Sequence, residues 1–271
     1  MNEFMNYLFI LLPMLLVAVL FWLLNLRLKD VSIVDSVWSV FFIVFALSVY
    51  LQQESPGLRA GVVLLLVLIW AVRLSLHITV RHWGHEEDHR YKTIRENNSP
   101  GFEFKSLYMI FIFQAIIAWI IAMPIYFSMA SKSMWCLFDM IAIGLWLAGM
   151  LFESVADYQL YLFKKNSENS GGILTSGLWK YSRHPNYFGE FLIWWGFFFF
   201  VLSSADYVAI ISPLIMTFIL LKFSGVGLLE KTMKTRPGYE EYMKNTNAFL
   251  PGFLRVWFPR CKKTEVVSVD E

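Results

Sequence analysis

The segment that decides how this chain folds spans residues 177 to 190 and reads Gly177-Leu178-Trp179-Lys180-Tyr181-Ser182-Arg183-His184-Pro185-Asn186-Tyr187-Phe188-Gly189-Glu190. A long apolar run follows, so basic and hydrogen-bonding groups stand at the start of a membrane helix. Pro185 suits a helix start, because its missing N–H is not needed there. The start of a helix has free N–H groups and the positive end of the helix dipole, and Arg183 and His184 stand at this point. The segment therefore predicts a binding site for a phosphate or carboxylate. The expected ligand is an anionic cofactor that docks from the cytosol while its reactive end reaches into the membrane.

The composition indicates an integral membrane protein. The 271 residues are 57% hydrophobic and 18% aromatic, and their mean hydropathy is +0.53, which soluble domains rarely reach. A net charge of only +2 gives no indication that the protein binds nucleic acid. Cys136 and Cys261 have no metal-ligand spacing and give no disulfide framework. The expected partners are membrane lipids and a lipid-soluble small molecule, and no protein partner can be inferred.

Seven apolar runs are candidates to cross a bilayer, which takes about 20 residues of helix. They lie near residues 4–26, 33–51, 60–80, 106–129, 135–163, 186–204 and 207–228. The first run has no basic n-region or cleavage site, so we interpret it as a retained span. We predict an all-α, polytopic membrane protein with seven transmembrane helices and a short cytosolic C-terminal helical tail. Residues 1–271 form one domain, with a substrate half at about 1–130 and a cofactor-binding half at about 131–271.

The orientation follows from the distribution of positive charge between the loops. Loops after the first, third and fifth spans, together with the C-terminal stretch, hold nearly all Lys and Arg residues, whereas the opposite side holds Arg59 and Lys132. This bias predicts an outside N-terminus and a cytosolic C-terminus. The expected location is a bacterial inner membrane in preference to the endoplasmic reticulum. Asp139 lies near the outer end of its span and is expected to snorkel to water.

Buried acids in the fifth span are the next candidates, since ionisable groups inside a membrane are costly unless they are paired or hydrated. Glu153 and Asp157 are four residues apart, so they share one helical face, which Tyr161 continues. Such a face could accept hydrogen bonds from ribose hydroxyls or an adenine amine. The alternative is that both acids pair with Arg73 or Lys222 and only hold the bundle together.

Arg73, His77 and Arg81 recur every four residues and form a basic stripe on the third span. The stripe could contact cofactor phosphates or hold a substrate carbonyl. The alternatives are snorkelling for Arg81 and an ion pair with Asp35 for Arg73.

The loop after the third span is dense in polar groups. Three histidines have helical spacing, His82, His85 and His89, which would suit a metal site. However, Gly84 makes a rigid helix here less stable, and no cysteine is near. We therefore predict no metal and a solvated loop. The Asp88-Arg90-Tyr91 part is the better candidate for chemistry, because the tyrosine hydroxyl can share a proton with a carbonyl.

Two further pairs of polar residues are candidates for the cofactor site. Asn186 and Glu190 are four residues apart on the helix that begins at Pro185, and Asn186 could bind a cofactor amide or phosphate. Tyr239 and Tyr242 follow a basic helix and could cap the cofactor from the cytosolic side. The alternative for this last helix is an amphipathic helix that lies on anionic lipid.

These residues resemble the steroid 5-alpha-reductase-like family of integral membrane proteins, and within it a bacterial branch of unknown substrate. The resemblance covers most of residues 30–253. Its motifs are Ser182-Arg183-His184-Pro185-Asn186-Tyr187-Phe188-Gly189-Glu190, Val34-Asp35-Ser36-Val37-Trp38, Trp70-x-x-Arg73-Leu74, Glu87-Asp88-His89-Arg90-Tyr91 and Ala156-Asp157-Tyr158-Gln159-Leu160. Isoprenylcysteine and phospholipid methyltransferases look similar at Arg-His-Pro-x-Tyr and at the tail Glu230…Tyr239-x-x-Tyr242…Leu250-Pro251. The tail therefore leaves NADPH and S-adenosylmethionine open.

The resemblance implies a seven-helix bundle that binds NADPH from the cytosolic side and admits a lipid enone laterally. It places Asp157, Asn186 and Glu190 in the cofactor site. The further cofactor-binding candidates are Arg183, His184, Tyr187, Tyr239 and Tyr242. The catalytic candidates are Asp35, Arg73 and Tyr91. The chain departs from the family where the reductases carry a Gln-Glu pair in helix two and a Tyr in helix three, since it has Asp35-Ser36 and Trp70 at those places.

We therefore predict an NADPH-dependent membrane oxidoreductase. It would reduce a conjugated C=C bond of a lipid-soluble substrate, either steroid-like or another enone, while the cofactor carries the chemistry. One alternative is an S-adenosylmethionine-dependent membrane methyltransferase of the isoprenylcysteine or phospholipid type. A second alternative is a non-catalytic lipid-binding membrane protein.

Overall fold

The computed structural model describes residues 3–169, 171–223 and 226–252. Throughout these ranges the regular structure is helical, and the only strand-like pairing is an isolated bridge between Ser182 and Asn247. The predicted all-α class is confirmed. The α-helices are α1 (Glu3–Phe9), α2 (Leu11–Leu28), α3 (Ile33–Leu51), α4 (Leu58–His82), α5 (His89–Asn97), α6 (Phe102–Ser106), α7 (Phe113–Ile121), α8 (Met123–Ala130), α9 (Leu137–Lys165), α10 (Pro185–Phe199), α11 (Ile211–Phe218), α12 (Val226–Met233) and α13 (Tyr239–Asn245).

The chain divides into two compact units. Among the described residues, unit 1 comprises 3–147 and 193–217, and unit 2 comprises 148–192 and 218–252. Each unit is therefore built from two separate stretches of chain, and α9 and α10 each contribute to both. The predicted single membrane domain with a boundary near residue 130 stays a prediction.

Five helices in the described residues are long and apolar enough to cross a membrane, as expected of a multi-pass membrane protein. They are Phe4–Leu28, Ile33–Leu51, Leu58–His82, Phe102–Ile121 and Leu137–Lys165. The predicted count of seven is not confirmed. The sixth predicted span is the 15-residue helix α10, and the seventh is the shorter apolar helix Tyr207–Lys222. Both fall short of the roughly 20 residues that a bilayer requires. The orientation in the membrane remains a prediction.

The fourth predicted span, residues 106–129, is interrupted. A π-helical stretch covers Leu107–Ile112, and the following helix α7 ends at Ile121. Pro124 then stands in the first turn of α8, where its lack of an N–H does no harm but where it cannot continue a preceding helix. The proline therefore divides one apolar run into two helices.

Aromatic side chains fill the core of unit 1, where α3 packs along α4. The ring of Phe42 lies 5.4 Å from Trp70 and 4.9 Å from Trp194, and the two tryptophans lie 5.5 Å apart. All three are fully buried, and aromatic packing of this kind adds stability beyond the buried area. Trp70, compared above with a tyrosine of the reductases, is thus a core residue.

A buried ion pair joins α4 to the start of α9 in unit 1. Arg59 donates from Nε to Asp139 Oδ1 at 2.6 Å and from Nη2 to Asp139 Oδ2 at 2.9 Å. The same guanidinium donates to Ser131, Ser133 and Met134. Both charged side chains are almost completely buried. The prediction that Asp139 snorkels was wrong, because its charge is balanced by Arg59, which is a core residue and not a free loop charge.

In unit 2, helices α9 and α10 approach closely at Gly189. A Cβ at this position would lie 2.6 Å from both the backbone nitrogen of Glu153 and the backbone oxygen of Gly149. A hydrogen is the only side chain that fits against those atoms. The small residue thus brings the polar side chains of the two helices within reach of each other.

Candidate functional site

The carboxylate of Asp35 is the centre of a polar cluster in unit 1. It lies in the first turn of α3, and two residues of α5 donate to its two oxygens. Arg90 Nη2 donates to Oδ2 at 2.7 Å, and the hydroxyl of Tyr91 donates to Oδ1 at 2.5 Å. From α7, Gln114 Nε2 donates to the Tyr91 hydroxyl oxygen at 3.4 Å. The cluster therefore combines a carboxylate, a guanidinium, a phenol and an amide.

Hydrogen bonds between two helix starts hold this cluster in place. Ser32 Oγ accepts from the backbone N–H of Asp88 at 2.7 Å, and Glu87 Oε1 accepts from the backbone N–H of Val31 at 2.9 Å. Asp88 caps α5 by accepting from the backbone N–H of Arg90 at 2.9 Å, as an N-cap side chain does. The local sequence thus fixes Arg90 and Tyr91 opposite the first turn of α3.

The electrostatics of the cluster keep Tyr91 and Arg90 protonated. Burial raises the pKa of Tyr91, and the neighbouring Asp35 raises it further, so the phenol stays protonated and remains a donor. Burial opposes the charge of Arg90, but Asp88 and Asp35 raise its pKa above the ordinary value. The Asp35 side chain is 26% exposed. A phenol donor beside an accessible ion pair can polarise a carbonyl group.

The structure brings together two of the three predicted catalytic residues, Asp35 and Tyr91. Arg73 lies half-buried on α4, and the partner of Asp35 is Arg90. The ion pair between Arg73 and Asp35 that the sequence left open is therefore not formed. The sequence singled out Asp88, Arg90 and Tyr91 together, but it did not pair Arg90 with Asp35 and it missed Gln114. The capping residue Asp88 before Arg90 and Tyr91 was the signal that could have placed them on a helix start.

The histidines of the same region have other partners. His82 Nε2 lies 2.9 Å from Asp30 Oδ2, whereas His85 and His89 are exposed. Within the ranges that the structure describes, no three His, Cys, Asp or Glu side chains are grouped to hold a metal ion.

Arg183 ties the motif of unit 2 to the C-terminal segment. Its Nε donates to Glu230 Oε1 at 2.7 Å, and its Nη1 donates to the carbonyl oxygens of Met243 at 3.1 Å and Thr246 at 2.5 Å. The backbone N–H of Arg183 donates to Asn247 O at 2.9 Å. The residue is only 7% exposed. Its charge is thus balanced by Glu230 inside the protein, and its contact with a cofactor stays a prediction.

The predicted capping tyrosines are buried in unit 2. Tyr239 and Tyr242 lie on α13, and the hydroxyl of Tyr242 donates to Trp179 O at 2.5 Å. Burial raises the pKa of Tyr242, so this donor stays protonated. Ser182 Oγ donates to Phe249 O at 2.7 Å, which adds a second link. The tyrosine face of α13 therefore packs on protein, against the alternative of a helix that only lies on lipid.

His184 is neutral where the sequence suggested a basic group. Its ring is buried and stacks on Tyr187, with centroids 5.6 Å apart and planes 5° from parallel. Burial lowers the pKa of His184 to about 4. Its Nε2 lies 3.6 Å from Glu230 Oε1 and has no hydrogen bond to a described residue. His184 can therefore share a neutral hydrogen bond with a ligand, but at pH 7 it adds no positive charge.

Buried acids and one amide form the polar interior of unit 2. Glu153, Asp157 and Glu190 are buried, and Asn186 Nδ2 donates to Asp157 Oδ1 at 3.1 Å. The buried Asn186 Oδ1 accepts no hydrogen bond from any residue that the structure describes. Buried acceptors are rarely left unpaired, so this oxygen fits a ribose hydroxyl or an amide N–H. Two expectations change. Tyr161 is 50% exposed, so the buried part of the predicted face does not include it, and Lys222 is exposed.

These features define a helical, multi-pass membrane protein with one polar cluster in each unit. The family model described as "Protein of unknown function (DUF1295)" matches residues 21–246. The chain belongs to this family.

Two relatives extend the comparison. An uncharacterized protein of Schizosaccharomyces pombe is 25% identical over 264 residues, which cover 85% of this chain and 75% of the relative. The 3-oxo-5-alpha-steroid 4-dehydrogenase 1 of Macaca fascicularis is 40% identical over 58 residues, which cover 21% of this chain and 22% of that protein. The predicted resemblance is thus supported at the level of the family, whereas a bacterial branch remains a prediction. No solved structure matches the chain.

Proposed function

We propose that this protein is a membrane reductase that uses NADPH to reduce a conjugated C=C bond of a lipid-soluble enone. The observation that carries the proposal is the Tyr91 hydroxyl on the Asp35 carboxylate at 2.5 Å. Family membership and the partial similarity to a steroid dehydrogenase support it. The resemblance to the steroid reductases implies a tyrosine in helix three, where this chain has the core residue Trp70. We propose that Tyr91 supplies the phenol from α5 instead.

In this proposal the polar cluster of unit 1 binds the carbonyl oxygen of the enone. The Tyr91 hydroxyl turns from Asp35 to that oxygen and donates to it as negative charge develops there. Arg90 balances the carboxylate of Asp35, so the carboxylate opposes that charge less. The chemistry supplied by NADPH in such a site is hydride donation to the β-carbon. The α-carbon takes its proton from solvent. Arg73, which also lies in unit 1, remains a candidate for orienting the substrate.

The cofactor-binding residues are proposed in unit 2. Asn186 Oδ1 and His184 Nε2 have hydrogen-bonding capacity to spare among the described residues, and Asp157 and Glu190 are buried acceptors. These groups suit the hydroxyls and amides of a nucleotide better than its phosphates. Tyr187, stacked on His184, is proposed to orient that ring. Arg183, Tyr239 and Tyr242 then support the site by holding the C-terminal segment against the motif.

The Tyr91→Phe substitution tests the reaction. We expect it to lower turnover of NADPH oxidation with a lipid enone about 10²-fold, the low end for the loss of one donor to a developing oxyanion, because the donor to the carbonyl oxygen is lost. NADPH affinity should change little, since Tyr91 belongs to the substrate side. The assay follows NADPH oxidation by detergent-purified protein with a panel of lipid enones. Tyr108→Phe is the matched control, because Tyr108 is exposed. Equal turnover in both variants would contradict the role of Tyr91.

The Asn186→Ala substitution tests the cofactor. We expect it to weaken NADPH binding about tenfold, or ~1.4 kcal/mol, because an acceptor for the nucleotide and the bond to Asp157 are both lost. Ligand-dependent melting with NADPH, NADH and S-adenosylmethionine measures this, since selective binding to the folded state raises stability. Asn98→Ala, in the half-exposed cap of α5, is the control.

The same assays discriminate the alternatives. Stabilisation by S-adenosylmethionine alone, with methyl transfer and no enone-dependent oxidation, would establish the methyltransferase. Binding of neither cofactor would leave the non-catalytic lipid-binding protein.

A further inference from the structure

A second polar cleft lies at the opposite end of unit 1, where α8 ends and α9 begins. Its volume is about 570 Å³, within the roughly 300–1,000 Å³ of typical small-molecule sites. Its polar wall consists of Ser131, Lys132, Ser133, Ser203, Ser204 and Asp206. None of these residues belongs to the proposed reductase site.

The charges in this cleft are available to a ligand. Arg59 and Asp139 neutralise each other behind the wall. Lys132 and Asp206, by contrast, make no side-chain hydrogen bond or ion pair with any residue in the described ranges. The cleft thus presents one available cation and one available anion. A ligand that carries one charge of each sign matches both.

Hydrogen bonds connect the two segments that line the cleft. Arg59 Nη1 donates to Ser133 Oγ at 2.8 Å, and Ser133 Oγ donates to Ser203 Oγ at 3.1 Å. The second bond links the loop that carries Lys132 to the turn that carries Asp206. The two charged residues therefore stand on segments that are joined directly.

Exposed apolar side chains flank the cleft on both sides. Met134 and Trp135 follow Lys132 in the chain, and Tyr207 and Val208 follow Asp206. Tryptophan and tyrosine at the ends of membrane helices prefer the headgroup level of a bilayer. The surroundings therefore suit a ligand with a charged head and apolar tails.

We propose that this cleft binds the phosphoethanolamine head group of a membrane phospholipid. Lys132 holds the phosphate, Asp206 holds the ammonium, and the acyl chains lie along the flanking apolar residues. With the predicted orientation, the lipid belongs to the non-cytosolic leaflet. The proposal is independent of the reductase reaction.

Native mass spectrometry of the detergent-purified full chain tests the proposal. We expect one palmitoyl-oleoyl phosphatidylethanolamine to be retained per protein. Lys132→Ala and Asp206→Asn should each weaken this binding about fivefold, the upper end for an exposed ion pair. Palmitoyl-oleoyl phosphatidylglycerol, which has the phosphate but no ammonium, should bind about fivefold more weakly than the ethanolamine lipid. Glu54→Gln is the matched control, because Glu54 is an exposed acid of unit 1 that does not line the cleft.

Three results would overturn the proposal. One is equal retention of the ethanolamine lipid by the parent and all three variants. Another is equal retention of the two lipids by the parent. The third concerns the source of the head group. Soluble phosphoethanolamine that binds as tightly as the lipid would show a site for a free zwitterion. Melting temperatures of all variants should stay at the parental value, since neither charged side chain is buried.

Discussion

Arg183→Ala will lower the stability of unit 2 by about 3–5 kcal/mol, the usual loss when one partner of a buried ion pair is removed. The substitution leaves the carboxylate of Glu230 without its cation and removes the donor to the carbonyl oxygens of Met243 and Thr246. The C-terminal segment should then detach from the motif. Thermal melting and limited proteolysis of the purified protein measure these two effects.

Lys180→Ala is the matched control for Arg183→Ala, because Lys180 is an exposed basic residue three positions earlier. It should melt like the parent. Arg183→Ala combined with Glu230→Ala should lose less than the sum of the two single losses, since the pair interacts directly. If Arg183→Ala melts like the control and loses only cofactor affinity, Arg183 is a cofactor ligand and not a structural residue.

Arg59→Met will destabilise unit 1 by a similar amount, about 3–5 kcal/mol. It leaves Asp139 as an unpaired charge in the core and removes the donors to Ser133 and Met134. Arg59→Lys should recover only part of the loss, because an ammonium cannot make the two-pronged contact with both carboxylate oxygens. Thermal melting in detergent is the measurement.

Arg27→Met is the control for Arg59→Met, since Arg27 is exposed in the last turn of α2. The double substitution Arg59→Met, Asp139→Leu should be more stable than Arg59→Met alone, because no buried charge remains. A double variant that is less stable than the single one would show that Asp139 contributes mainly by accepting from the backbone N–H of Cys136.

The fold class was readable from the sequence because it depends on local properties. Apolar runs and helix-start residues such as Pro185 act within a few positions of the chain, so the long helices were predicted close to their observed places. The number of membrane spans was harder to predict from the sequence. The interruption at Pro124 and the short length of α10 depend on packing and on turn conformations that hydropathy does not report.

The polar sites were only partly readable, because the sequence shows which residues are chemically active but not which ones pair. Asp35 and Tyr91 were both predicted to act, and Arg90 was singled out beside Tyr91, yet the sequence did not show that Arg90 pairs with Asp35. Arg183 looked like a seat for an anion, but its counter-ion lies 47 positions further along the chain. Such partners are determined by the tertiary structure, so no local sequence pattern predicts them.

The discontinuous build of unit 2 imposes an order on biosynthesis. Arg183 is synthesised before Glu230, Met243 and Thr246, so its side chain has all three of these partners only after residue 246 has left the ribosome. Domains form as their parts become available during synthesis. The helices of the N-terminal stretch can therefore enter the membrane while the motif is still incomplete. The half of the protein proposed to hold the cofactor is therefore the last to be completed.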